Sequence, residues 1–524
     1  MSAADLLLVG TRVRTLDPAR PWASAVAISG DQIVALDDDA LALRSGRTEV
    51  VDLAGAVTTP GLVDGHLHPV FGASSFQGAD LSACRSLDDL RRALAGAVPG
   101  EDGWVVGWGL DHNVFAGGSI DNTVLDEVHP GRPVFLRLYD GHSALASSEA
   151  LRRAGVTGPR EFEQRSEIVC VGGVPNGMLL EHAAMELVQA VMPVMPAAVL
   201  RERLREVLQG MAATGLTGAC VMDAEDNSLE AYADYEATGE LPLRLRVAPW
   251  CMPGADVADV IALQGRGGRR WTVEAVKFFM DGTVEGGTAW LEHPDCHGTG
   301  TEAFWRDPAA YTKAVQTLAE ARVQTVTHAI GDAAVRHVIE ALENVESAGI
   351  RHRIEHLETL PRELVPRLVR SGLVSSMQPC HAGYTKADHS DEWSQRLGSD
   401  RAARAWACRD IVDAGGVLVL GSDWPIATYD ARHVLAHARL RRPPGSSEAA
   451  VAPEQALTGL QALEGMTTHA AYADGAESYA GRIAVGARAD LTVFAVDPVE
   501  APADEVAGAP IRLTVSGGLV THRG

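Results

Sequence analysis

Lysine is almost missing from this chain. It occurs three times in 524 residues, at Lys277, Lys313 and Lys386, and all other members of the 45 basic residues are arginine. A lysine set in an apolar stretch of such a chain therefore calls for a specific explanation. Cysteine is scarce as well: seven, widely separated, with no Cys-x-x-Cys pair. That argues against a disulfide framework and against a thiolate zinc site. Basic residues are outnumbered by 69 acidic ones, for a net charge of −24. Nucleic acid and anionic membrane surfaces attract the opposite balance, so neither is expected as a partner. No apolar run approaches the roughly 18 residues a membrane span needs. Asp5, with no basic residue before it, is unlike a secretory leader. The expected location is the cytoplasm.

What is present is a globular composition, 46% hydrophobic and 22% charged. The first sixty residues read as short strands between turns, as in Leu6-Leu7-Leu8-Val9 and Gln32-Ile33-Val34-Ala35-Leu36. The last fifty repeat the pattern, with Leu491-Thr492-Val493-Phe494 and Leu513-Thr514-Val515. Between these ends strands alternate with helices, which predicts parallel βαβ units. Leu200, Leu204, Val207, Leu208 and Met211 share one helical face closed by Gly215, and Val335, Val338, Ile339 and Leu342 share another. The expected fold is α/β, a (β/α)₈ barrel with a small composite β-sandwich formed by both termini. Residues 1–58 and 476–524 are assigned to the sandwich and 59–475 to the barrel, with an insertion at about 71–132. That insertion is too long for an ordinary βα loop and reads as a lid or pocket wall.

Candidate chemistry lies at the ends of predicted strands. His66 and His68, in Gly65-His66-Leu67-His68, point the same way if the segment is extended. His328 closes Thr325-Val326-Thr327-His328, His356 closes Ile354-Glu355-His356, and Asp423 follows Val419-Leu420-Gly421-Ser422. In a (β/α)₈ barrel such positions converge on one mouth, where an active site sits. Lys277 stands in Val276-Lys277-Phe278-Phe279-Met280, where a bare ammonium would cost several kcal/mol. It is either paired, for example with Asp281, or neutral, and a neutral amine can add carbon dioxide to give an anionic oxygen ligand. Other histidines read as bland: His433 and His437, among four arginines, as a solvated helix face, and His337 as a surface residue.

Taken together, Pro60-Gly61-Leu62-Val63-Asp64-Gly65-His66-Leu67-His68, Val276-Lys277-Phe278-Phe279-Met280-Asp281-Gly282, Thr327-His328-Ala329-Ile330-Gly331-Asp332, Ile354-Glu355-His356, Met377-Gln378-Pro379 and Gly421-Ser422-Asp423-Trp424-Pro425 resemble the amidohydrolase superfamily. The resemblance is to its amidohydrolase family 3 branch, which includes N-substituted formamide deformylases, and it covers essentially the whole chain. It implies one divalent metal, zinc by default, on His66, His68 and Asp423, and a second zinc on His328 and His356. Carboxylated Lys277 would bridge the two. It implies that Asp423 acts as acid and base, and that His142, in Gly141-His142-Ser143, polarises the scissile carbonyl. After His142 the sequence Ala144-Leu145-Ala146-Ser147-Ser148 departs from the family pattern, which leaves the substrate open. The expected activity is hydrolysis of a non-peptide amide C–N bond in a small molecule, of N-formyl or N-acyl amine type, by a metal-activated water. The alternatives are a mononuclear deaminase or cyclic-amide hydrolase on the same barrel, and a catalytically silent binding protein. The partner expected is the small-molecule amide, in a chain compatible with a homo-oligomer.

Overall fold

A computed structural model describes residues 3–100, 102–115, 118–224, 228–345 and 349–524. Positions 1 and 2 of the sandwich assignment, and 101, 116 and 117 of the insertion, lie outside the described residues. Among the described residues, no helix is long and apolar enough to cross a membrane.

Eight parallel strands form the centre. In chain order they are Leu62–Leu67, Leu216–Ala224, Arg244–Pro249, Trp271–Val273 continued by Ala275–Phe279, Gln324–Ala329, Arg353–His356, Val374–Met377 and Leu418–Leu420. Each pairs in parallel with the next. A bridge between Trp250 and Lys277 links the third strand to the fourth, and one between Leu67 and Trp424 joins the last strand back to the first. The ring is therefore closed, a (β/α)₈ barrel. Both faces of its strands are covered: all five residues of Ala275–Phe279 are buried, as are eight of nine in Leu216–Ala224. The covering helices carry the predicted stripes. Ala197–Ala213 buries Leu204, Leu208 and Met211, and Asp332–Leu342 buries Val335, Val338, Ile339 and Leu342.

The two ends of the chain meet in one sheet. Leu491–Phe494 pairs antiparallel with Val57–Pro60, and Arg12–Arg14 lies on the other side of that strand. A second, four-stranded sheet holds Leu6–Val9 and its neighbours. Leu8, Val13, Val26, Ile33, Val493 and Val515 are buried in one core shared by the two sheets, the composite sandwich.

Between the first two barrel strands lies a separate six-stranded sheet, from Ala79–Asp80 to Val174–Leu180. It extends well past Arg132. Val134–Leu138 has the apolar look of a barrel strand, yet it pairs with Val105–Leu110 and Ser143–Ala146 inside this sheet. The histidines read as bland are only partly so. His437 is buried, its Nδ1 3.0 Å from the His433 carbonyl, and His337 is half-buried against Thr312 and Pro308.

Gly65 marks how tightly the seam closes. A Cβ there would lie 2.4 Å from Val419 Cγ1 and 2.9 Å from the Leu420 carbonyl oxygen. Gly65→Ala is expected to destabilise the fold by about 2 kcal/mol, as overpacking does, read as a lower urea midpoint with unchanged m-value.

Candidate active site

The seam of the barrel builds the site. Asp423 donates its backbone amide to the His66 carbonyl at 2.7 Å, and His68 donates to the Trp424 carbonyl at 2.8 Å. Behind them buried Asp64 accepts from the amides of His66 and Ser422, both at 3.0 Å. This places Asp423 Oδ1 3.1 Å from His68 Nε2 and 3.5 Å from His66 Nε2. Its other oxygen faces the opposite way, 3.8 Å from His356 Nδ1 and 3.5 Å from His381 Nε2. Ligand atoms of His66, His68 and Asp423 lie within 4.8 Å of one another, as do those of His356, His381 and Asp423.

The tautomers follow from what each ring donates. His66 Nδ1 donates to Glu355 Oε2 at 2.7 Å, so Nε2 keeps its lone pair toward the cavity. Glu355 is held in turn by Arg353, whose Nε donates to Oε1 at 2.9 Å and whose Nη2 donates to the Gly65 carbonyl and to Ser376. His328 Nε2 donates to the Gly282 carbonyl at 3.0 Å, which leaves Nδ1 as its acceptor. The rings of His328 and His356 stand 4.4 Å apart.

Burial sets the charges. It holds His66, His328 and His356 well below the ordinary imidazole range, reinforced at His66 by nearby Lys277, and it lowers His68 as well. All four are neutral, the form that binds metal. For Asp423 burial alone would raise the pKa, but nearby His66 and the hydrogen bond offered by His68 lower it, and the carboxylate is ionised. Burial pushes Lys277 down to about 8, against an opposing pull from Glu355 and Asp423. Its Nζ lies 3.4 Å from His66 Nε2, and Asp281 is not its partner. Asp281 instead accepts from the amides of Ile330, Gly331 and Trp290. Neutral imidazoles, an ionised carboxylate, a depressed amine and a His356 Nδ1 that lacks a hydrogen-bond partner among the described residues make a donor set that fits zinc-like cations.

His142 sits in the turn before Ser143–Ala146 of the inserted sheet, its ring 5.0 Å from that of His328. Burial would lower its pKa, but Glu181, 2.8 Å away, raises it to about 9. The site opens into a cavity of about 900 Å³ walled by Phe71, Met185, Trp250 and Phe279. Sequence reasoning left three contributors without a role. His381 follows the Met377-Gln378-Pro379 motif, Glu355 lies inside Ile354-Glu355-His356, and Glu181 carries no motif signal.

A model of the amidohydrolase family matches residues 49–522. The chain belongs to the amidohydrolase family. N-substituted formamide deformylase of Arthrobacter pascens is 26% identical over 552 residues, covering 99% of this chain and 98% of that protein. Putative amidohydrolase YtcJ of Bacillus subtilis is 29% identical over 498 residues, 91% of each chain. Among solved structures, an uncharacterized metal-dependent hydrolase from Pyrococcus horikoshii shares 21% identity at a TM-score of 0.73, over 95% of this chain and 99% of its own. Atrazine chlorohydrolase TrzN from Arthrobacter aurescens, complexed with zinc, shares 18% at a TM-score of 0.56, over 98% and 94%. At these identities the solved structures speak to the fold. The family match makes this chain a hydrolase of the amidohydrolase type.

The chain from Arg353 through Glu355 to His66 gives a direct prediction. Glu355→Gln is expected to weaken zinc binding about 10- to 100-fold, as loss of an outer-shell carboxylate does. Titration of the metal-free protein with zinc checks it, and unchanged affinity would contradict the role.

Proposed function

We propose that this amidohydrolase hydrolyses the C–N bond of a non-peptide amide, an N-formyl or N-acyl amine, at the barrel mouth. The observation that carries the reading is the split of Asp423, one oxygen on the His66/His68 side and the other on the His356 side. His66, His68 and Asp423 would hold one divalent cation, and His328 and His356 a second, with zinc the default for such donors. Lys277, depressed by burial, would bridge them as a carbamate formed from its amine and carbon dioxide with release of a proton. Cations at these positions lower the pKa of water from about 15.7 to about 7 and polarise a carbonyl.

The residues divide the remaining work. Asp423 accepts the proton of the attacking water and returns it to the leaving nitrogen. His142, with Nδ1 engaged by Glu181, has Nε2 to offer the carbonyl oxygen. Phe71, Met185, Trp250 and Phe279 exclude water around the organic substituent. The deformylase relative, matched over nearly its full length, supports the choice of amide. A small-molecule substrate and a cytoplasmic site fit seven unpaired cysteines, five of them buried, and the acidic surface.

The test is a panel of formamides and acylamines offered to zinc-loaded protein. Asp423→Asn is expected to lower kcat about 10²- to 10⁴-fold with the circular dichroism spectrum unchanged. Turnover of that variant within about twofold of the parent would move the proton transfer elsewhere, and ammonia as the sole nitrogen product would favour deamination.

A further inference from the structure

Glu181 follows the strand Val174–Leu180 of the inserted sheet and is fully buried. Its backbone stands at φ 64°, ψ 169°, a region that residues with a Cβ avoid. A strained, buried acid persists only where its surroundings hold it there. Both oxygens of its carboxylate are engaged: Oε2 accepts from His142 Nδ1 at 2.8 Å and Oε1 from Thr288 Oγ1 at 2.6 Å. The Glu181 amide also donates to the His142 carbonyl at 2.7 Å, so His142 is gripped by ring and main chain together. Gly282 completes the cradle, since a Cβ there would lie 1.8 Å from Glu181 Oε1. The carbonyl of that same glycine accepts from His328.

We propose that Glu181 is the positioning residue for His142. It commits Nδ1 to the carboxylate and leaves Nε2 as the nitrogen that His142 presents to the substrate carbonyl. The strained backbone is what brings the carboxylate to the ring. This role rests on the reading of His142 given above. The neighbouring His182 could make the trio a cation site, since ligand atoms of His142, Glu181 and His182 lie within 4.8 Å. The hydrogen bond already formed between Glu181 and His142 favours positioning.

A double-mutant cycle on zinc-loaded protein tests it. Glu181→Gln keeps the shape and removes the charge. It is expected to lower kcat about 10- to 100-fold with KM within about twofold and metal content unchanged. In a His142→Ala background the same change is expected to alter kcat by less than about twofold. An acid serving the fold alone would cost the same in both backgrounds, and that result would overturn the proposal. Imidazole proton NMR supplies an arm that needs no turnover. The Nδ1–H resonance missing from His142→Ala is expected to vanish in Glu181→Gly as well, a variant whose backbone is relaxed and which should fold. Persistence of that resonance would overturn the proposal. A third equivalent of zinc lost in His182→Ala would overturn it too, making the trio a cation site. Inertness toward every amide would instead overturn the hydrolase reading and leave the spectrum to decide the place of Glu181.

Discussion

One buried chain of charge and hydrogen bonds organises the molecule: Arg353 to Glu355 to His66. All three side chains are essentially inaccessible to water, and they lie inside the barrel where a closed ring usually packs branched aliphatics. Arg353 also reaches the Gly65 carbonyl and Ser376, so one guanidinium ties together the first, sixth and seventh strands. Removing one member of such a network leaves an uncompensated buried charge, at a cost of about 3–5 kcal/mol. The network does more than stabilise. By accepting the Nδ1–H of His66 it decides which nitrogen faces the cavity, and Lys277 and Asp423 are arranged around that nitrogen.

Four of the twelve non-glycine residues with positive φ among the described residues stand at or beside the site. His356, Leu357, Asp423 and Glu181 all have positive φ, between 53° and 76°. None is glycine, so each costs roughly 1–3 kcal/mol that the surrounding packing must offset. From such positions Asp423 meets His68 and Glu181 meets His142.

Much of this was legible in the sequence. His328 and His356 end predicted strands, His66 and His68 share a face if their segment is extended, and Lys277 stands as a rare lysine among Val276, Phe278 and Phe279. The barrel follows from the alternation of strands and helices, and the sandwich from two β-rich ends. The pairing of His66 with Glu355 was not legible, because 289 positions separate them and neither spacing nor composition couples them. Nor was the inserted sheet, because Val134–Leu138 looks like any barrel strand until its partners are known. The arginines around His437 suggested solvent, yet Arg439 and Arg441 satisfy the carbonyls of Pro498, Ala501, Val451 and Ala405. A run of charge marks a surface only when backbone acceptors do not claim it.

Two divalent cations are proposed at the barrel mouth, between His66, His68, Lys277, His328, His356 and Asp423. Metal content per chain, measured after exposure to zinc and bicarbonate and removal of free metal, tests this proposal most directly. About two equivalents are expected in the parent chain and about one in Lys277→Ala. A folded parent chain that retains fewer than about one equivalent, with Lys277→Ala retaining the same, would contradict it.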